Sequence, residues 1–421
     1  MSDDLLAVRT QVARQVAHWR AAVIALDDLE NFASPAAWSR LERYLGGALR
    51  ANLRAAVSRL SKEGDVLAAE LRAAETADEL ELVRRHVVQF RRQFLRVETG
   101  LEFYGSAVND RSSPRLGALL AACDILADRT LESILTPLGK PVPPVLTYVD
   151  KGLGASILRA GLRLWDGRTL SAAAAIKLTR HNLNGRPTAI LHEAGHQIAF
   201  TLGWNDELAA ALRRELGDDP ELAEAWSGWS SEIAGDCVGF VHAGYAAVAA
   251  LHDVIAGEAV NVYARRPFDP HPVAHLRVLL GTAMATRFFG EGPWTGLARA
   301  WLIAHPVARA PGDVRPLIER SVPRLQRITE VCLLDPMNAF GQRPLTALVD
   351  PLRVRPDALA ALARDAGASI GVSSHWLWSE SLRLLALSGY RAATEPDRAP
   401  EIAAEFETWM LRLGRGVRMA A

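Results

Sequence analysis

The chain has 421 residues and a mass of 45.8 kDa, longer than one ordinary domain, so two or three compact units are expected. A hydrophobic content of 49 % excludes global disorder, and 48 basic against 48 acidic residues exclude a nucleic-acid binder driven by bulk charge. Three cysteines (Cys123, Cys237 and Cys332) are too sparse for a disulfide scaffold or an all-Cys zinc site, and they suit a reducing compartment. The opening MSDDLLAVRTQVARQ has no basic stretch leading into an apolar core, so no secretory signal is expected. The apolar run at 237–251 is shorter than the ~20 residues of a membrane span. A cytoplasmic protein without nucleic-acid or membrane partners is the expectation.

Periodicity predicts helix over 4–30, 35–73, 77–107 and 114–136. In the second of these, Trp38, Leu41, Tyr44, Leu45, Leu49, Leu53, Val57 and Leu60 recur at steps of three or four. Ser34 and Pro35 mark its start. No sustained heptad stands out, so an antiparallel bundle over 1–137 is expected in place of a long coiled coil. Such a bundle is a packing or partner-binding module.

The proline-rich TPLGKPVPPV at 136–145 reads as a linker. Strands are predicted over 145–149, 155–165 and 174–179, separated by turn signals at 151–154 and 166–167, with another at 182–185 after the third strand. Together they read as a small, mostly antiparallel sheet feeding a helix. GLGASILRAG at 152–161 has the look of a dinucleotide fingerprint but precedes its strand, so it is set aside. Further helices are predicted over 187–203, 206–216, 220–256, 272–288, 294–305, 312–330, 356–366, 374–390 and 397–413. The fold expected is mainly α, with a small α+β domain over 138–310 and a helical region over 311–421. The eleven tryptophans are expected in the core and as walls of a binding cleft.

HEAGH at 192–196 carries the chemistry. His192 and His196 are i and i+4, one turn apart on one helix face, so their imidazoles can converge on one metal ion. Glu193 is turned about 100° from His192, beside the metal, where its carboxylate can take a proton from water. On the next long helix, SEIAGD at 231–236 places Glu232 and Asp236 one turn apart in apolar surroundings. Two carboxylates there are costly unless they bind a metal or pair with another group. Two imidazoles and one carboxylate leave a fourth position open, as in catalytic zinc sites, and Asp236 is placed to orient a liganding imidazole.

HExxH with a downstream ExxxD resembles the gluzincin metallopeptidases, over about 145–280. The resemblance implies a zincin-like catalytic domain with Zn2+ on His192, His196 and Glu232. It implies Glu193 as general base, Asp236 holding an imidazole, and 174–179 as the edge strand that pairs with substrate backbone. DPHPVAHLR at 269–277 partly matches an HPP-x-x-x-R segment of some HExxH peptidases, with Val273 in place of the second proline. His271 is therefore a candidate donor to a developing oxyanion, with Arg277, Tyr245 and Tyr263 as competitors. His181, His242 and His252 fit no ligand spacing.

The expected activity is hydrolysis of peptide bonds in a peptide or protein substrate. Endopeptidase action is favoured, since no GxMEN-like element is found to hold a free amino terminus. Two alternatives are a helical binding or scaffold protein with a vestigial zinc site, and a zinc hydrolase of a non-peptide amide.

Overall fold

A computed structural model describes residues 3–39, 48–150, 155–160, 173–183 and 187–420. The chain is mainly helical with one three-stranded sheet, and it forms two compact units. One comprises Met1–Gly117 with Ala160–Ala173, the other Ala118–Arg159 with Ala174–Ala421. Among the described residues no helix is long and apolar enough to cross a membrane.

The first unit is built on helices Asp3–Asp27, Ala48–Ala73 and Ala77–Asp110, which all pack on one another. The third starts at a capping box. Thr76 Oγ1 accepts from the Glu79 amide at 3.3 Å, while Glu79 accepts from the Thr76 amide at 2.9 Å. Along that helix the buried residues Leu80, Val83, Val87, Phe90, Phe94, Val97, Leu101, Tyr104 and Val108 alternate steps of three and four. This is a strict heptad seam, contrary to the expectation that none is sustained. The other two helices share it in Val12, Val16, Val23 and Leu26, and in Leu53, Val57, Leu60 and Leu67. Of the helix expected over 35–73, residues 40–47 lie outside the described residues.

The fourth helix of the expected bundle, Pro114–Leu135, belongs from Ala118 onward to the second unit. There Asp124 Oδ1 accepts from the Thr147 amide and hydroxyl, both at 2.7 Å, which ties the helix to strand β1 (Val145–Val149). The other strands are β2 (Ser156–Leu158) and β3 (Ala174–Leu178), in the order β1-β3-β2. Leu146 pairs with Ala175 in the parallel β1–β3 ladder, and Ile157 with Ile176 in the antiparallel β2–β3 ladder.

Two expectations change here. The sheet is mixed, not mostly antiparallel, and β3 is its central strand, with β2 at the edge. β3 is almost wholly buried, which fits a strand covered on both faces. Strand expected over 155–165 is confined to 156–158 among the described residues, and 161–172 lie outside them, as do the turn signals at 151–154 and 166–167 and residues 184–186.

Helix Ala189–Leu202 packs against β2 and β3 and, most extensively, against helix Ser230–Ala243. The single helix expected over 220–256 is three: Pro220–Gly228, Ser230–Ala243 and Tyr245–Ile255. The last break is at Gly244, whose φ of 55° lies in the left-handed region. Residues 311–421, expected as a region of their own, lie in the same unit as the site. Their helix Ser381–Thr394 packs on both Ser230–Ala243 and Tyr245–Ile255.

Candidate metal centre

Two glycines bring the expected ligands together. Gly195 and Gly235 face each other where helices Ala189–Leu202 and Ser230–Ala243 cross. A Cβ on Gly195 would sit 2.9 Å from Gly235 Cα, and one on Gly235 would sit 2.6 Å from His192 Cε1. Backbone thus approaches backbone with no side chain between, and the His192 ring occupies the space a Gly235 side chain would need. Both glycines are embedded in the motifs, but the sequence reading attached no role to either.

Across this contact, His192 Nε2 lies 3.4 Å from Glu232 Oε2, and His196 Nε2 lies 3.3 Å from Glu232 Oε1. One donor atom from each residue falls within 4.8 Å of the others. The 3.3–3.4 Å separations are long for an N–H···O bond. They match two ligands on one tetrahedral ion, which stand ~3.4 Å apart when each bond is ~2.1 Å. The three residues could hold a metal ion, and both donor types and spacing fit one.

Charge points the same way. Glu193 and Glu232 are buried, Asp236 nearly so, and the only guanidinium among them is that of the buried Arg277. With both imidazoles neutral, as metal binding requires, and all three acids ionised, three carboxylates against one guanidinium would leave two negative charges for a divalent cation to balance. Burial opposes charge on His192, but the Asp236 and Glu232 carboxylates outweigh it and lift its pKa to about 10. Burial likewise disfavours the ionised Glu232, yet the two histidines and Arg277 hold its carboxyl far below the ordinary range.

Asp236 stands where expected, its Oδ1 2.9 Å from His192 Nδ1. An N–H there donates to the carboxylate and leaves Nε2 turned toward Glu232. Asp236 is itself gripped by Arg277, whose Nε and Nη2 donate to it at 2.7 and 2.8 Å. Against the cost of burial, these partners hold the Asp236 carboxyl at about 2. Arg277 also lies 3.2 Å from Glu232 Oε2. Its fork is spent on orienting two acids of the site, a role the oxyanion-donor expectation missed.

Glu193 is 6 % exposed, and burial pushes its carboxyl above the usual range against the pull of the histidines and Arg277. A raised pKa suits a group that must accept and return a proton. His271 stands at the rim, with Nε2 3.4 Å from Glu232 Oε2 and Nδ1 2.6 Å from Asp269 Oδ1. It is outside the metal-ligating group, and its half-exposed ring faces the cavity. The other two donor candidates lie elsewhere. The Tyr263 hydroxyl donates to the Pro306 carbonyl at 3.0 Å, Tyr245 packs on Trp294 and Tyr390, and neither lines the cavity.

That cavity has a volume of about 590 Å3, within the range of small-ligand sites. Its polar end holds the histidines and Glu193, and its walls beyond are aliphatic: Val248, Leu251, Leu280 and Met284. No tryptophan lines it among the described residues, so Trp226 and Trp229 serve the core, not the cleft. His242 is also structural. Its Nδ1 donates to the Val238 carbonyl, Ser133 Oγ donates to its Nε2, and burial lowers its pKa to about 4.

No protein-family model matches the chain, and neither a curated protein nor a solved structure does.

Proposed function

We propose that the chain is a zinc-dependent metallopeptidase of gluzincin type, with a zincin-like catalytic domain that cleaves peptide substrates internally. The observation that supports this most is the convergence of His192, His196 and Glu232 at ligand spacing beside the buried carboxylate of Glu193.

Zinc, when bound by those three residues, supplies a Lewis acid for the scissile carbonyl and acidifies water at neutral pH. Glu193, on the same helix as both histidines, takes the proton of the attacking water and returns it to the leaving amine. Asp236, fixed by Arg277, keeps His192 Nε2 presented to the ion. His271, held by Asp269, turns its Nε2 edge toward the oxygen that gains charge. Substrate backbone lies along β2, because β2, unlike β3, is an edge strand, and of the two edge strands it is the one whose residues, Ser156 and Ile157, line the cavity.

Glu193→Gln tests the reading. Zinc content, measured by elemental analysis, is expected to stay near that of wild type, while cleavage of a peptide library falls by about 10²–10⁴-fold. Equal cleavage by the two proteins, or no cut by a zinc-loaded wild type, would overturn it.

A further inference from the structure

Arg159 directly follows the edge strand β2 and lines the same cavity as His192, Glu193 and His196. Its guanidinium lies over the Phe200 ring, 5.4 Å from the centroid. Phe200 is four residues past His196 and eight past His192, so all three share one face of helix Ala189–Leu202. From His196 to Phe200 is ~6 Å along the axis, or about two residues of extended chain.

Of the other charged groups on the cavity wall, Arg277 is engaged by Asp236 and Glu232, and His271 contacts Asp269. Arg159 is half-buried, and no carboxylate pairs with it among the described residues. The cation–π contact with Phe200 restrains the guanidinium, whose N–H donors no carboxylate among the described residues engages. At its aliphatic end the cavity depends on Gly281, where a Cβ would come within 3.0 Å of Val248 Cγ1.

Resting on the peptidase reading, we propose that Arg159 is a specificity-determining anchor. It receives a carboxylate about two residues along the substrate from the metal centre, while a bulky apolar side chain fills the aliphatic end. The carboxylate belongs to a free C-terminus or to an Asp or Glu side chain, and both offer the bidentate acceptor that a guanidinium recognises.

The test uses the full chain and three N-acetylated peptides of Leu and Ala: a free acid, its C-terminal amide, and the amide with one Ala replaced by Glu. Binding to the zinc-loaded Glu193→Gln protein is measured by calorimetry. One carboxylate peptide or both should bind about 10–100-fold tighter than the plain amide. Preference for the free acid assigns the anchor to a C-terminus, and preference for the Glu peptide assigns it to a side chain. Adding Arg159→Gln should abolish the preference, and Arg159→Lys should keep part of it. In the otherwise wild-type enzyme Arg159→Gln should raise KM for the preferred peptide about tenfold or more, with kcat unchanged and the amide unaffected. Equal affinity for the three peptides, or a preference that survives Arg159→Gln, would overturn the anchor. Cleavage without a carboxylate preference refutes the anchor alone. Arg159-dependent binding with no cleavage by wild type refutes the peptidase reading and leaves the anchor standing.

Discussion

Replacing Gly235 by alanine adds one methyl group at the tightest point of the site. The new Cβ would stand 2.6 Å from His192 Cε1, 2.7 Å from Nδ1 and 3.0 Å from Nε2. Carbon atoms rest at ~3.5 Å or more, so the ring must retreat by about 1 Å. Metal sites tolerate ligand displacements of only ~0.2 Å, and Asp236 pins the ring from its other nitrogen. Overpacking costs about 1–3 kcal/mol, offset by up to about 1 kcal/mol from alanine in mid-helix. The fold should survive while metal affinity falls by at least about 10–100-fold, the loss seen when outer partners of a ligand are removed. Chelator competition with zinc reads the affinity, and a thermal melt of the metal-free protein reads the fold. Gly239, one turn further on the same helix, is the control. Its Cβ would meet Ala247 Cβ at 3.8 Å and the His192 amide nitrogen at 4.0 Å, ordinary contacts, so Gly239→Ala should bind zinc as wild type does. Wild-type affinity in Gly235→Ala would refute the geometry.

Asp236→Asn removes one of the two carboxylates that grip the buried Arg277 and leaves Glu232, so it should cost about 1–3 kcal/mol in urea unfolding and lower zinc affinity about 10–100-fold; a loss under about 0.5 kcal/mol would show that the pair matters little. In the metal-free protein the His192 pKa is raised from about 6.5 to about 10, so its stabilising contribution is full below pH ~6.5 and is lost as pH rises through ~10. For Asp236, held at about 2, the contribution is present above pH ~3.9 and is lost as pH falls through ~2; melting temperatures across both windows check the two signs. At pH 7 zinc uptake should expel a proton from His192, with affinity rising about tenfold per pH unit, and calorimetry in buffers of different ionisation enthalpy counts that proton. Phe268 is fully exposed at φ 62°, so Phe268→Gly relieves ~1–2 kcal/mol of left-handed strain against ~0.5–1 kcal/mol of added chain entropy, and unfolding should show a net gain of about 0.5–1 kcal/mol.

The candidate site is legible in the sequence because the residues that form it obey local rules. The i, i+4 spacings of His192 with His196 and of Glu232 with Asp236 survive whatever surrounds the helices, and apolar neighbours announced that both acids would be buried. What escaped depends on distant chain. Neither the order β1-β3-β2 nor the edge position of β2 can be read from strand periodicity, although the nearly unbroken apolar run of β3 is the mark of a covered central strand. Gly195 and Gly235 each look like a weak helix residue until the two helices meet. Arg277 reads in the sequence as a candidate oxyanion donor, because only packing shows that its fork is closed on Asp236. Alternating steps of three and four in 80–108 were present in the sequence and were missed among the charged residues between them.

The ligands are drawn from two helices about forty residues apart in the chain, and they meet only when those helices are docked at their glycines. An ion held there is therefore a clasp on the interior of its unit as well as a reagent. Free metal at ~1,000 times Kd would add about 4 kcal/mol to the folded state, comparable to much of the margin that keeps a domain from unfolding. Supply of the ion would then govern how long each molecule lasts, and starvation for metal would remove the protein itself.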